Sequence, residues 1–172
     1  AVLDYPIYDT AVFGTVAGAI HTLFQSGQGS GGGNGQGITN MRGSGQFPDR
    51  ESFTVRRIGL HVNNILLTDD DIAGLFVNSV LTVNYNNVKI LQAPLYLFSD
   101  RNAVSGIKTE SSASAFDMFG QEGMGYELKQ QFTIQGGKSF NVEIVQGLAV
   151  DNALSNLYLT LYGLLDTPDI TV

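Results

Sequence analysis

Residues 126–147 read YELKQQFTIQGGKSFNVEIVQG. Tyr126, Leu128, Phe132 and Ile134 share one parity, the pair Gly136-Gly137 interrupts, and Phe140, Val142 and Ile144 resume the alternation. Successive side chains of a strand point to opposite faces, so a period of two marks segments with one face to bury; a helix would need a period of 3.6. Glycine supplies the positive φ that tight reversals demand, so the segment predicts two antiparallel strands joined as a hairpin. A chain built this way must stack one sheet on another to hide its apolar faces.

The same pattern recurs along the chain. SFTVRRIGLHV places Phe53 and Val55 on one parity and Ile58, Leu60 and Val62 on the other, which predicts a bulge or register change near Arg56-Arg57. SVLTVNYNNVKIL alternates Leu81, Val83 and Tyr85, then turns at Asn86-Asn87 into Val88 and Ile90. NLYLTLYGLL sets Leu157, Leu159 and Leu161 opposite Tyr158, Thr160 and Tyr162, and Pro94 and Pro168 close the strands before them. TDDDIAGLFVNS predicts one short helix, with Thr68 as cap and acids in the first turn at the positive end of the helix dipole. The stretch 10–24, TAVFGTVAGAIHTLF, fits an extended strand or a small-residue helix, and its β-branched and aromatic content favours the strand.

Seven or eight such strands, long turn-rich connections and little helix describe an all-β fold, a single jelly-roll β-sandwich with one short helix. The 172 residues exceed the roughly 100 of an immunoglobulin-type domain, with no internal boundary, so residues 1–172 are expected to form one domain. A chain of this size buries roughly 70% of its unfolded surface without staples, consistent with the absence of cysteine.

Charged residues make up 15% of the chain, against about 25% in an ordinary soluble domain. Unpaired ions cost more to desolvate than amides that find partners, so the buried centres of protein interfaces are depleted in charge. An exterior this poor in ions suits a molecule largely covered by neighbours; a small amide-rich secreted domain is the plainer alternative. The net charge of −7 argues against a general nucleic-acid binder, which needs a basic face. Residues 1–57 are balanced, Asp4, Asp9, Asp49 and Glu51 offsetting Arg42, Arg50, Arg56 and Arg57. Those arginines suggest a solvated strand edge, or a contact with an acidic partner or lipid head groups. No apolar run reaches the ~18 residues a spanning helix needs, and the 10–24 stretch lacks the preceding positive charge of a signal peptide.

No catalytic, cofactor or metal motif holds up. Gly27 to Gly32 matches G-x-G-x-x-G, but more glycine follows where a phosphate-binding helix should open. Gly137-Lys138-Ser139 resembles the end of a P-loop, yet Phe132 stands where glycine is required. Asp69-Asp70-Asp71 reads as helix capping rather than a calcium loop, lacking the later glycine and glutamate. His21 and His61 have no histidine near them in sequence, and no G-x-S-x-G elbow occurs. We therefore expect no enzyme activity, cofactor or metal.

Residues 25–37, QSGQGSGGGNGQG, carry seven glycines in thirteen positions and no large side chain. Such a tract behaves as a flexible loop. It suits a plain surface loop, exchange of the first strand between subunits, or ordering against a neighbour.

The size, the early GSGGGNGQG tract, the pattern GLHVNNILLTDDDIAGLF, the segment YELKQQFTIQGGKSFNVEIV and the ending LYLTLYGLLDTPDITV together resemble one viral family. The chain is similar to the single jelly-roll major capsid proteins of tailless, icosahedral, membrane-containing double-stranded DNA phages, and within them to the smaller coat proteins of Thermus phages. The resemblance implies a structural coat protein in the virion, made in the host cytoplasm, that self-associates as a dimer or larger oligomer. It further implies packing with a second major capsid protein near an internal membrane, without direct nucleic-acid contact or catalytic residues. Extensive ion-pair networks, frequent in thermophile proteins, are incompatible with so little charge, so stability is expected to come from assembly. The alternative is a ligand-binding β-sandwich, a lectin-like or receptor-binding spike module using LYLTLY or the NYNN loop.

Overall fold

The computed structural model describes residues 1–27, 39–63, 69–98, 125–149 and 155–168; the side chains of 61–63, 69–73 and 155–156 are outside the description. Eight strands follow in order: β1 (Val2–Phe13), β2 (Ile20–Leu23), β3 (Ser52–Asn63), β4 (Val80–Tyr85), β5 (Val88–Pro94), β6 (Tyr126–Gln135), β7 (Phe140–Val145) and β8 (Ser155–Asp166). One helix, α1 (Asp69–Asn78), lies between β3 and β4. Thr68, its expected cap, lies outside the described residues.

The strands form two four-stranded antiparallel sheets, ordered β1-β8-β3-β6 and β2-β7-β4-β5. Partners nest about the β4–β5 turn: β4 pairs with β5, β3 with β6, β2 with β7 and β1 with β8. Rolling that long double ribbon brings β3 beside β8 and β4 beside β7. The result is a jelly-roll sandwich. At its centre Asn86 and Asn87 take positive φ, 49° and 62°, the backbone of a two-residue type I′ turn.

The inward parity of each strand fills the space between the sheets. Ile7, Phe13, Leu157, Leu159 and Leu161 from the first sheet face Leu23, Leu81, Val83, Val142 and Ile144 from the second, all buried. Each such side chain stabilises the fold by about 1.5–3 kcal/mol relative to exposure. The expected change of parity in β3 is present: the register shifts between Val55 and Arg57, so Phe53, Val55, Ile58 and Leu60 all point inward. Opposite that shift, β6 moves from Phe132 to Glu127, so residues 128–131 stand against Arg56 alone in an irregular bulge. Phe24, Phe140, Phe47 and Phe53 close one end of the sandwich as a run of rings with centroids 5.5–5.6 Å apart.

Two expectations are corrected. Residues 126–147 are not a hairpin: β6 and β7 lie in opposite sheets, and Gly136-Gly137 carries the chain from one to the other. The turn is held by long-range bonds, Gly136 N–H donating to the Glu51 carbonyl and Gly137 N–H to that of Phe47. Residues 10–24 are likewise two strands, β1 and β2, separated by a crossing over 14–19 in which Gly18 has φ of 83°. Of the glycine tract only Gln25, Ser26 and Gly27 fall within the described residues.

Candidate interaction surfaces

The registers of the second sheet align one residue from each strand into transverse rows. Ile20 pairs with Val145, Val145 with Val80, and Val80 with Pro94, so one row runs apolar across all four strands. The adjacent row, with Ile144 and Leu81, is buried, so the first row faces outward. Ile20 is 64% and Val145 37% exposed. Val77, at the end of α1 just before β4, and Leu97, in the 3₁₀ turn after β5, extend the exposed apolar surface at the same end. The next row of the same parity, Thr22, Glu143, Thr82 and Gln92, is polar with a single carboxylate, and Thr82 within it is buried. An uncharged apolar row on the outside of a sheet has nothing to gain from water and suits contact with another polypeptide.

A second feature lies at one lateral side, where β5 and β6 are the edge strands of their sheets. Between them runs an open groove of about 430 Å³ lined by Ile90, Leu91, Tyr126, Leu128, Phe132 and the 129–131 segment. The bulge in β6 creates it by diverting residues 128–131 from the β3 ladder while Leu128 stays buried.

No family model, curated protein or solved structure matches the chain. The chemistry of its surfaces therefore rests on its own residues.

Two buried polar side chains fix the ends of strands. Gln146 is fully buried at the end of β7: its amide donates to the carbonyls of Gly14 and Leu148, and its oxygen accepts Gly14 N–H at 3.1 Å. Asp9, pointing inward from β1, accepts the backbone N–H groups of Phe24 and Thr10 and a bond from the Thr39 side chain. Burial raises its pKa above the ordinary carboxylate value, and those three bonds oppose the shift. Asp9 thus ties both flanks of the glycine tract, Phe24 and Thr39, to the first strand.

The residues singled out from sequence are dispersed. His21 contacts Gln146 and the Phe13 ring, while His61 lies on β3 with its side chain outside the description. Asp69, Asp70 and Asp71 occupy the first turn of α1. Among the described residues no three histidine or acidic side chains gather around one point, and no helix is long and apolar enough to cross a membrane. Arg42 pairs with Glu51 at 3.1 Å, and the Arg57 guanidinium lies 4.6 Å from the Tyr162 ring centre. Tyr85 of the NYNN segment is partly buried against the core, and its hydroxyl accepts Gln135 N–H. Both groups of tyrosines suggested as ligand contacts thus have members engaged in packing. The outward row was missed in the sequence, although its signal is there: Val145 follows Ile144 off parity, and Ile20 precedes His21 in the same way.

Proposed function

We propose that this protein is a structural coat subunit: a jelly roll that works by burying complementary surface between copies of itself and with a companion coat protein in an icosahedral shell. The observation that carries this reading is the outward row Ile20–Val145–Val80–Pro94, an uncharged stripe on a chain whose net charge is −7. Like-charged chains meet most readily through surface that carries no charge, because like charges brought together across a contact cost several kcal/mol. The jelly-roll topology and the resemblance of the sequence to membrane-containing phage coat proteins support the same assignment, with a virion location and no catalytic step. Between described residues the ion pairs are Arg42–Glu51 and the amino terminus with Asp166, in keeping with stability drawn from assembly.

Light scattering of the purified chain across concentration and salt tests the proposal, together with electron microscopy of the particles from its source. Dimers or larger species, and density for a jelly-roll shell, are the expected outcome. A monomer at all concentrations that binds a defined glycan on an array would overturn it in favour of a ligand-binding sandwich.

A further inference from the structure

We propose that Asn40 closes the edge of β1, standing in for a partner strand at Pro6 and Tyr8 so that β1 cannot pair with the same strand of a second copy. The inference concerns where copies do not join, and it holds whether or not the outward row of the other sheet is an assembly contact.

β1 is twelve residues long and ends the strand order of its sheet, with β8 as its neighbour. A long edge strand is a template for pairing with another chain. Two β1 strands related by a two-fold axis present the same surface to each other, and Val2 and Val12, 61% and 50% exposed, offer apolar area for such a pairing to cover. The backbone of the edge is already engaged. Tyr8 N–H donates to Asn40 Oδ1 at 2.8 Å, and the Tyr8 carbonyl accepts Asn40 N–H at 3.3 Å. Successive residues of a strand direct their backbone groups to opposite sides, so Pro6, Tyr8 and Thr10 are the residues of this stretch that face away from β8. Pro6 has no N–H to offer, and its carbonyl accepts Asn40 Nδ2 at 2.8 Å. Thr10 N–H turns back onto Asp9 Oδ1 at 2.9 Å.

The way Asn40 pairs explains why the ladder stops there. Two residues facing each other across antiparallel strands exchange two bonds, N–H to C=O in each direction. Asn40 reproduces that exchange with Tyr8, but its carboxamide oxygen takes the place of the backbone carbonyl. The carboxamide suits the role because it holds an acceptor for Tyr8 N–H and a donor for the Pro6 carbonyl on one short side chain. Its neighbours fix it in place. Thr39 and Met41 are buried on either side, and Met41 N–H donates to Thr39 Oγ1 at 3.3 Å instead of continuing a strand. The Thr39 side chain also bonds Asp9, so the carboxylate that engages Thr10 anchors the residue before Asn40.

The test is made in the full chain carrying Val145→Asp, which takes the outward row out of play as a route to association. Asn40→Ala added to that parent deletes both side-chain bonds. Analytical ultracentrifugation should then show dimers at concentrations where the parent is monomeric. In dilute solution the Tyr8 amide should exchange about tenfold faster than in the parent, and it should slow again as the dimer forms. Pro6→Val, which restores an edge donor, should tighten the dimer when combined with Asn40→Ala and change nothing while Asn40 is present. Asn40→Ser, too short to reach the Pro6 carbonyl, carries the same expectation should the alanine variant not fold. Folded variants that stay monomeric, or an association that leaves the Tyr8 amide unprotected, would defeat the proposal.

Discussion

The carboxamide oxygen of Gln146 lies 2.9 Å from His21 Nε2. Because the Gln146 nitrogen already donates to two carbonyls, this oxygen must be the acceptor, so His21 carries its proton on Nε2. Gln146→Leu keeps the volume and removes every partner, leaving Gly14 and Leu148 backbone groups unpaired at about 1–3 kcal/mol each where water cannot replace it. Gln146→Glu sets an anionic oxygen against the same two carbonyls, and its deficit should shrink on acidification. Chemical denaturation of the two variants at several pH values measures both effects.

Asp9 gives the fold a pH dependence of defined sign. Its folded-state pKa is raised above the ordinary value of 3.8, so the folded chain holds the proton more tightly than the unfolded one. The stabilisation is fully present below about pH 3.8 and is lost as pH rises through the raised value. Asp9→Asn removes this titration and turns an amide donor toward backbone N–H groups. Thermal melts should therefore show the advantage of the wild type over Asp9→Asn shrinking from pH 3 to pH 7. A gap that widens over that range would contradict the direction of the shift.

At Gly136 an added Cβ would overlap the Pro48 carbonyl oxygen, a backbone atom that cannot swing away. Gly136→Ala should destabilise by about 1–3 kcal/mol, the usual cost of overpacking. At Gly14 a Cβ would meet nothing within 4 Å, so Gly14→Ala should stay within about 0.5 kcal/mol of wild type. Equilibrium unfolding in urea compares the pair directly.

If assembly stabilises the subunit, its melting temperature rises with protein concentration, each tenfold increase adding up to about 1.4 kcal/mol. Ile20→Asp and Val145→Asp place charge on the outward row without entering the core. Both should flatten that dependence while leaving the dilute melting temperature nearly unchanged. Calorimetry over a hundredfold concentration range separates this from simple loss of fold.

Strand positions and their inward faces were legible because each depends on its own residues. Leu157, Leu159 and Leu161 alternate, and they are buried; Phe53 and Ile58 differ in parity, and a register shift reconciles them. Strand partners were not legible. A glycine turn such as Gly136-Gly137 looks the same in sequence whether the chain reverses within a sheet or passes to the other one. The choice is made by Glu51, Phe47 and Pro48, far away along the chain. For the same reason the outward row is visible only once β2, β7, β4 and β5 are set side by side, since each strand contributes a single apolar residue to it.

The nested pairing also sets an order in time. Closing the Asn86-Asn87 turn confines two residues, whereas joining β1 to β8 confines nearly the whole chain, and loop-closure entropy grows with every layer between. The molecule should therefore zip outward from its midpoint, pulsed hydrogen exchange protecting Val83 and Leu91 before Ile7 and Leu161. Synthesis from the amino terminus completes β1 first, and that strand must wait, unmatched, until the last partner emerges.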